Sequence, residues 1–296
     1  MADRRGRGAR AVLTTLLAVP NVSEGRDMAA LDAIGAAFEA GGARLLDRHS
    51  DPDHHRSVFT LAGPPGALHE ALAAGAREAL ARIDLARHEG VHPRVGALDV
   101  APVVFLDGSD RGAACAEALV LADRLGHELE LPVFLYGALA GGRSRAELRR
   151  GGPQELARRL ASGELAPDAG PPRLHPTAGA VLVAARPPLL AFNLEVDATL
   201  EQARAIAAAI REGPGQGLPG VRAIGLRLAS SGVVQVSTNV EDHHAVGAAD
   251  VVEAVRRHAP VTGAELVGLA PRAAFAGFPD DVPVANLRLI EDALGT

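Results

Sequence analysis

The sequence has few of the residues that mark disulfide-rich or nucleic-acid-binding proteins. Its 296 residues include one cysteine, one tyrosine, seven phenylalanines and no tryptophan. The lone Cys115 excludes an internal disulfide framework, and its alanine-rich surroundings favour a core residue on a helix over a nucleophile. An aromatic content of 3% argues against a platform for stacking nucleic-acid bases. We therefore expect a core built from alanine, valine and leucine.

Long apolar runs and an excess of positive charge are missing as well. No segment approaches the roughly 18 consecutive apolar residues of a membrane span, and a net charge of −6 offers no basic field to a phosphate backbone. Arg4 and Arg5 precede an apolar run at 12–19, but this run is too short for an export signal and lacks a cleavage site. We predict a cytoplasmic protein that binds neither nucleic acid nor membranes, with residues 1–12 as a disordered basic tail.

What remains is a globular composition with a regular alternation of strands and helices. Hydrophobic residues make up 48% and charged residues 22% of the chain, which is ordinary for a folded protein. Helical spacing of apolar residues and short apolar runs between turn residues locate the elements. The predicted helices are 28–38, 66–83, 113–130, 144–162, 200–212, 245–258 and 284–294. The predicted strands are 12–19, 43–47, 57–63, 98–106, 132–136, 180–184, 189–196, 221–228, 233–239 and 264–269.

The order of these elements predicts the fold class. Two consecutive strand-helix-strand-strand-helix-strand units match the ferredoxin-like pattern. We predict an α+β protein with two ferredoxin-like (βαββαβ-type) subdomains at 13–186 and 187–296, each a sheet with helices on one face. The boundary follows from the Pro- and Gly-rich loop 166–179 and from Arg186-Pro187-Pro188. A doubly wound Rossmann sheet is the main alternative, but no Gly-x-Gly-x-x-Gly follows a first strand.

The clearest candidate for chemistry is the segment His88-Glu89-Gly90-Val91-His92-Pro93-Arg94. The spacing of its two histidines would suit a zinc site on a continuous helix, but Gly90 and Pro93 oppose such a helix. Since proline favours an extended conformation in the residue before it, His92 is expected to project from a loop. An imidazole there could accept and donate a proton near neutral pH. The alternative is structural, with His88 as a helix cap and His92 as an ordinary loop histidine.

Four further features could bind a ligand, and each has a structural alternative. Segment 49–56 contains three histidines and two aspartates that could hold a metal, but this composition between strands is typical of a solvated turn. Loop 167–179 could bring backbone N–H groups close to a planar ligand, or it could be a linker. Asn193 and Asn239 lie in apolar strands and need a backbone or ligand partner. The arginines of 143–150 either attract an acidic substrate or are simply solvated.

Several segments, in order along the chain, resemble one known family. They are 19–25, 83–100, 131–137, 166–171, 175–180, 191–193, 235–239 and 266–269. Together they resemble the formiminotransferases, which transfer the formimino group of N-formimino-L-glutamate to tetrahydrofolate in histidine breakdown and one-carbon metabolism. The resemblance implies two ferredoxin-like subdomains with folate between them, usually in a homodimer. It also implies tetrahydrofolate as the co-substrate and no bound metal.

The resemblance also assigns site residues. The family's catalytic histidine falls on His92. Its folate-contacting residues fall on Gly170, Pro171, His175, Pro176, Thr177, Ala178 and Gly179. We expect His92 to remove the proton from N5 of tetrahydrofolate and to return it to the departing glutamate amine. Arg56 or Arg94 is expected to hold the substrate carboxylates.

The chain departs from the family pattern at two places. The family commonly has Gly-Ala-Arg where this chain has Ala184-Ala185-Arg186, and Asn-Arg where it has His55-Arg56. We expect these differences to alter the folate pocket. No segment resembles the cyclodeaminase domain to which some relatives are fused, so we expect any cyclodeaminase partner to be a separate protein.

Two other functions remain open at this point. A metallohydrolase could use His49, His54 and His88, which predicts bound metal and sensitivity to chelators. A folate-binding or regulatory protein without activity, such as a partner of a separate cyclodeaminase, predicts that tetrahydrofolate binds without turnover. Metal content and formimino transfer distinguish these alternatives from the transferase.

Overall fold

Two β-sheets organise the part of the chain that the computed structural model describes, residues 14–90 and 93–296. The class is α+β, as predicted. The predicted tail at 1–12 and the candidate catalytic residue His92 lie outside the described residues. The last strand of the first sheet ends at Arg186, and the first strand of the second sheet begins at Leu190.

The first sheet combines antiparallel and parallel strands. It contains β1 (Leu16–Ala18), β2 (Asn21–Val22), β3 (Arg44–Asp51), β4 (Arg56–Gly63), β5 (Leu98–Val104), β6 (Val133–Leu135) and β7 (Val181–Arg186). β1 and β2 lie between β4 and β5 and pair with both in the antiparallel sense; Pro20, which has no N–H to donate, separates them. β3 pairs with the outer side of β4, while β7 runs parallel to both β5 and β6.

Helices pack on both faces of the first sheet. They are α1 (Met28–Ala40), α2 (Leu68–Arg82), α3 (Arg111–Glu128), α4 (Arg145–Arg149) and α5 (Gly152–Ala161). α1 to α3 cover one face around Phe59 and Val103, whereas α4 and α5 cover part of the other around Phe134 and Leu182. The expectation of helices on one face is therefore incomplete for this sheet. The physical reason is that β5 and β7 are apolar on both faces, as parallel strands commonly are.

The predicted helical stretch 144–162 is divided into two helices. Gly151 and Gly152, the first residue of α5, have φ angles of 74° and 73°. Glycine adopts this left-handed backbone readily, but a continuous right-handed helix cannot contain it. The break makes α4 a short independent helix.

The second sheet is built around β8. Its strands are β8 (Leu190–Val196), β9 (Val221–Arg227), β10 (Val234–Val240), β11 (Val261–Leu266) and β12 (Val284–Ala285). They lie in the order β12-β11-β8-β10-β9, and β8 is antiparallel to both of its neighbours. The helices of this half are α6 (Leu200–Ile210), α7 (Ala248–Arg256) and α8 (Ile290–Leu294). The predicted terminal helix 284–294 is shorter than expected, because its first residues form β12.

Each sheet packs one face against its helices and turns at least part of the opposite face toward the other sheet. Successive residues of a strand therefore point alternately into the helix-covered core and into the space between the sheets. Along β8, Phe192 points into the core of the second sheet, where its ring centre lies 5.8 Å from that of Phe275 and 5.9 Å from that of Phe278. The next residue, Asn193, points into the space between the sheets. This follows from the two-residue period of a strand. No helix in the described part of the chain is long and apolar enough to cross a membrane.

Phe192→Ala should destabilise the protein by about 3–5 kcal/mol, because it removes a fully buried ring and leaves a cavity among aromatic neighbours. Urea denaturation followed by circular dichroism measures the free energy of unfolding. Leu119→Ala on α3, where the side chain is 48% exposed, is the control and should change that energy by less than about 1 kcal/mol. Equal losses in the two variants would contradict the assigned core.

Candidate functional site

A cavity lies between the two sheets, and we call it the inter-sheet cavity. It contains about 1110 Å³ of space, part of it open to solvent. Its walls include apolar side chains of the first sheet, such as Leu17, Val58 and Val104, and the amides of Asn193 and Asn239 from the second. Apolar surface with a few converging polar groups is the combination typical of sites for organic ligands.

The cavity carries a local excess of positive charge. Among the described residues, the arginines that line it are Arg56, Arg145, Arg149 and Arg186, whereas Asp51 is the one acidic residue there. Because the whole chain has a net charge of −6, this excess is a property of the cavity and not of the composition. Guanidinium groups bind carboxylates through paired N–H donors, so the cavity favours an anionic ligand.

Helix α4 presents two of these arginines. Its first turn is fixed by a capping box, in which the Ser144 hydroxyl accepts from the Glu147 N–H (3.2 Å) and the Glu147 carboxylate accepts from the Ser144 N–H (2.6 Å). Arg145 and Arg149 are four positions apart and therefore share a face of the helix. The Arg145 guanidinium lies 5.7 Å from the ring centre of Tyr136, a cation-π distance.

A fully buried carboxylate, Asp99 on β5, fixes two of the cavity arginines. Arg56 donates to Oδ2 of Asp99 at 2.6 Å, and Arg149 donates to the same oxygen. The other oxygen, Oδ1, accepts the N–H of Val95 at 2.7 Å. Arg56 also donates through Nε to Oδ1 of Asn21 at 2.9 Å. One carboxylate therefore joins β4, β5, α4 and the end of loop 88–95.

The same contacts set the protonation states. Burial alone would raise the pKa of Asp99, but the adjacent Arg149 and Arg56 hold it well below its ordinary value. Burial lowers the pKa of Arg56 to about 10, even though Asp99 acts in the opposite direction. All three groups are therefore charged at neutral pH. Two guanidiniums share one carboxylate, which leaves the cluster cationic.

Three buried polar atoms around the cavity have no hydrogen-bond partner within the described residues. They are Nε of Arg149, Nε of Arg186 and the hydroxyl oxygen of Thr60. All three residues line the cavity. Buried polar atoms are usually satisfied, so a cluster of unsatisfied ones beside a cavity is consistent with partners supplied by a polar ligand.

The turn between β3 and β4 adds an imidazole and a carboxylate to the cavity wall. Nδ1 of His54 lies 2.6 Å from Oδ2 of Asp51, and both residues line the cavity. Oδ1 of Asp51 accepts the N–H groups of Asp53 and His54, at 2.8 and 2.9 Å. Burial would raise the pKa of Asp51, but the bonds from His54 lower it. The carboxylate therefore stays ionised and orients the imidazole.

Of the two arginines predicted to hold substrate carboxylates, Arg56 lines the cavity and Arg94 does not. Arg94 donates to the carbonyl oxygens of His88 (2.8 Å) and Gly90 (3.2 Å). Its guanidinium therefore supports the loop that leads to His92. A side chain at Gly90 would begin 2.7 Å from the carbonyl oxygen of His54, so this loop packs directly against a cavity-lining residue.

The predicted folate-contacting residues lie together but do not line the inter-sheet cavity. They are Gly170, Pro171, His175, Pro176, Thr177, Ala178 and Gly179. Thr177 accepts the N–H of Leu85 and Ala178 accepts that of Ala97, both at 2.9 Å. Gly179, with φ of 69°, approaches Val95 so closely that a Cβ there would lie 2.2 Å from its carbonyl oxygen. The segment is thus adjacent to both ends of the loop that carries His92, and its folate contact stays a prediction.

The other sequence candidates divide between the cavity and the surface. Asn193 and Asn239 both line the cavity, and Asn193 donates to the Glu265 carboxylate at 3.3 Å. In segment 143–150, the residues of α4 reach the cavity, whereas Arg143 pairs with Asp168. The segment is therefore partly a cavity wall and partly an ordinary charged surface.

The three histidines of the metallohydrolase alternative do not form one cluster. His49 faces Glu265 at 3.6 Å, His54 bonds to the adjacent turn, and His88 bonds to a backbone carbonyl. Across 14–90 and 93–296, no group of three or more His, Cys, Asp or Glu side chains is arranged to hold a metal ion. The described residues therefore give this alternative no support.

Sequence reasoning assigned no role to two important residues, Asp99 and Arg186. A single carboxylate inside the apolar strand 98–106 was a usable signal, because a buried charge requires a partner. Arg186 was noted only as part of the altered Ala184-Ala185-Arg186 triplet. Its position at the end of β7 places it in the cavity, which the local sequence does not reveal.

Asp99→Asn should destabilise the protein by about 3–5 kcal/mol at pH 7, because it leaves two nearly buried guanidiniums without their carboxylate. The folded-state pKa of Asp99 is depressed, so its contribution is complete above the unfolded-state pKa of about 4 and is lost as the pH falls through the folded-state value. The difference between wild type and variant should therefore shrink below about pH 4. Denaturant unfolding at several pH values measures it.

Asp32→Asn is the matched control, because Asp32 forms an exposed pair with Arg48. Such pairs contribute roughly 0–1 kcal/mol. A small effect of Asp99→Asn, equal to that of the control, would show that the buried cluster does not organise the site.

Comparison with known proteins identifies the family. The family model for the N-terminal subdomain of the formiminotransferase domain matches residues 15–186, and the model for the formiminotransferase domain matches residues 191–278. The formimidoyltransferase-cyclodeaminase of Sus scrofa is 42% identical over 269 residues, which cover 86% of this chain and 49% of the relative. The chain thus spans about half the length of the bifunctional relatives.

Relatives of similar length are also found. The glutamate formimidoyltransferase of Streptococcus pyogenes serotype M1 is 36% identical, with 87% of this chain and 89% of the relative covered. The glutamate formimidoyltransferase of Thermoplasma acidophilum is 33% identical, with 87% and 88% covered. The resemblance noted in the sequence is therefore confirmed, and the chain belongs to the formiminotransferase family.

Proposed function

We propose that the chain is a glutamate formimidoyltransferase, which moves the formimino group of N-formimino-L-glutamate to N5 of tetrahydrofolate. The observation that carries the proposal is the arginine-lined cavity between the two sheets of a formiminotransferase-family chain. Two relatives of nearly the same extent bear the name of this activity.

The charge of the cavity fits the charge of both substrates. N-formimino-L-glutamate carries two carboxylates, and tetrahydrofolate ends in a glutamate. Arg149 and Arg186 each offer a buried Nε that has no partner in the described part of the protein. Apolar residues such as Val100 and Leu269 line the same cavity and suit the planar rings of a folate. Bidentate contacts would fix the reacting groups relative to each other and remove the entropic cost of orienting them during the reaction.

In the proposed reaction, N5 of tetrahydrofolate attacks the formimino carbon to give a tetrahedral species. His92 removes the N5 proton and delivers it to the glutamate nitrogen. The bond between that nitrogen and the formimino carbon then breaks and releases glutamate. The support for this role is the position of the loop ends. Gly90 packs against His54 in the cavity wall, and Val95 is bonded to Asp99. Gly90 and Val95 therefore lie beside the cavity wall and the cationic cluster, and this position of the two loop ends supports the proposed role.

We also propose the finer architecture that the sequence predicts. The antiparallel order β3-β4-β1/β2-β5 in the first half and β11-β8-β10-β9 in the second supports two ferredoxin-like subdomains, at 13–186 and 187–296. The contacts of 170–179 with Leu85 and Ala97 support a folate-binding role for that segment. Tetrahydrofolate serves as co-substrate without a metal. The homodimer and the cytoplasmic location rest on the family resemblance and the sequence.

His92→Ala should lower the turnover number about 100-fold or more and leave tetrahydrofolate binding largely unchanged, because it removes the acid/base group but no carboxylate contact. The assay follows transfer from N-formimino-L-glutamate to tetrahydrofolate, with folate affinity measured by calorimetry. His127→Ala on α3 is the control, since that side chain is 73% exposed. Unchanged turnover in the His92 variant would refute the role. A wild-type protein that binds tetrahydrofolate without turnover would instead be a silent folate-binding protein.

Arg186→Met should raise the KM of one or both substrates about 10-fold or more, with a smaller change in kcat, because a charge-assisted hydrogen bond to a carboxylate is lost. The methionine replaces the aliphatic part of the side chain and removes the guanidinium. Arg158→Met is the control, because Arg158 is half-exposed and pairs with Glu155 and Glu164 on the surface. Unchanged KM values for both substrates would show that Arg186 does not bind a substrate carboxylate.

A further inference from the structure

Two stacked imidazoles connect the turn before β4 to the loop that leads to His92. The rings of His55 and His88 lie with their centres 4.1 Å apart and their planes inclined by 19°. Nε2 of His88 donates to the carbonyl oxygen of His55 at 2.9 Å, and Nδ1 of His55 lies 2.8 Å from the carbonyl oxygen of Glu89. Each ring therefore binds the backbone of the other segment, which makes the contact reciprocal.

Both ring nitrogens of His55 face acceptors. Nδ1 faces the Glu89 carbonyl, and Nε2 lies 3.0 Å from Oε1 of Glu24. A carbonyl oxygen cannot donate. Burial alone would raise the pKa of Glu24, but the N–H groups of Asp27 and Arg26 and the His55 ring lower it, so this carboxylate is ionised and cannot donate either. Both ring nitrogens of His55 are therefore placed within hydrogen-bond distance of groups that can only accept.

His88 is the neutral member of the pair. Its Nε2 is a donor, while Nδ1 is buried and has no partner in the described residues. Burial lowers the pKa of His88, and the nearby charges of Arg94 and His55 lower it further, against the opposing effect of its carbonyl bond. The His88 ring is therefore uncharged, so the stacked rings avoid repulsion between two imidazolium groups.

The backbone at this contact is unusual on both sides. His55 has φ of 49°, in the left-handed region that residues other than glycine adopt only uncommonly. Across the contact, a Cβ at Gly90 would lie 2.8 Å from Cβ of His55 and from Cε1 of His88. Where the turn and the loop meet, the turn therefore has a left-handed residue, His55, and the loop has a glycine, Gly90. Strain held in place by several hydrogen bonds is a feature of functional sites.

We propose that His55 is a positioning residue, whose imidazole ring bonds Glu24 on one side and the Glu89 carbonyl on the other and so fixes the start of the loop that carries His92. The proposal rests on the proposed formimino transfer, in which His92 handles the proton. His55 does not line the inter-sheet cavity, so its effect is exerted through the loop. Loss of the clamp should slow the reaction without weakening substrate binding to the cavity arginines.

His55→Asn tests this, because asparagine tolerates a left-handed backbone but cannot bridge Glu24 and Glu89 as the imidazole ring does. We expect kcat to fall about 10- to 100-fold with both KM values within about threefold, since small misplacement of a catalytic group has effects of this size. Glu24→Gln should give a similar loss in kcat, and the double variant should be no worse than either single one. Additive losses in the double variant would overturn the proposal.

His69→Gln is the matched control. His69 forms the same type of contact, with Nδ1 2.9 Å from the Glu117 carboxylate, at the opposite side of the first sheet. It should leave kcat unchanged. An equal loss of kcat in this variant would show that the effect of His55→Asn reflects general destabilisation, and the positioning role would be rejected.

Two measurements on the full chain do not depend on activity. In protein labelled with ¹⁵N-histidine, His88 should carry its proton on Nε2 and none on Nδ1 at pH 7, with the signals assigned from the variants. Backbone hydrogen exchange in peptides that contain Glu89 and Gly90 should accelerate in His55→Asn but not in His69→Gln. A proton on Nδ1 of His88, or unchanged exchange, would overturn the proposal. An inactive wild type with both results as expected would refute the proposed function and leave the clamp established.

Discussion

The carboxylate of Asp99 is the group on which the geometry of the site depends. It is removed from solvent within β5, yet it bonds side chains from β4 and α4 and the backbone of Val95. Burying three charges is costly, so this cluster adds little net stability compared with apolar packing. Its value is geometric, because a carboxylate has few directions in which to accept hydrogen bonds. Arg56 and Arg149 are therefore held in fixed positions with excess positive charge facing the cavity.

The two sheets leave a cavity between them in which that positive charge is accessible. Each sheet places its apolar residues against helices and turns the alternate residues inward, as Phe192 and Asn193 illustrate on β8. The inner faces carry apolar residues such as Val58 and Val104, but arginine and asparagine side chains lie among them. A dry interface with these groups would leave donors unsatisfied, and within the described residues two of the cavity's arginine Nε atoms have no partner. A polar ligand between the sheets would supply the missing acceptors.

Much of the fold could be predicted from the sequence because the signals are local. Strands β4 and β8 and helix α3 follow apolar runs or helical periodicity bounded by turn residues. The local signals failed where an element was very short or where glycine backbone conformation decided the outcome, as with β12 and with Gly151-Gly152. The convergence of Arg56, Arg149 and Arg186 is a property of tertiary packing. No periodicity could show it, although the isolated charge of Asp99 in an apolar strand indicated that a buried partner was needed.

Contacts on both sides anchor the described ends of the segment in which the proposed catalytic residue His92 lies. On one side, Gly90 packs against the turn at His54 and His55, and Arg94 donates to the carbonyl oxygens of His88 and Gly90. On the other, the N–H of Val95 donates to Asp99, and the carbonyl oxygen of Val95 accepts the N–H of Ala180. In the proposed reaction, ends that folding has already fixed lower the entropic cost of orienting the catalytic group, so substrate binding has less of that cost to supply.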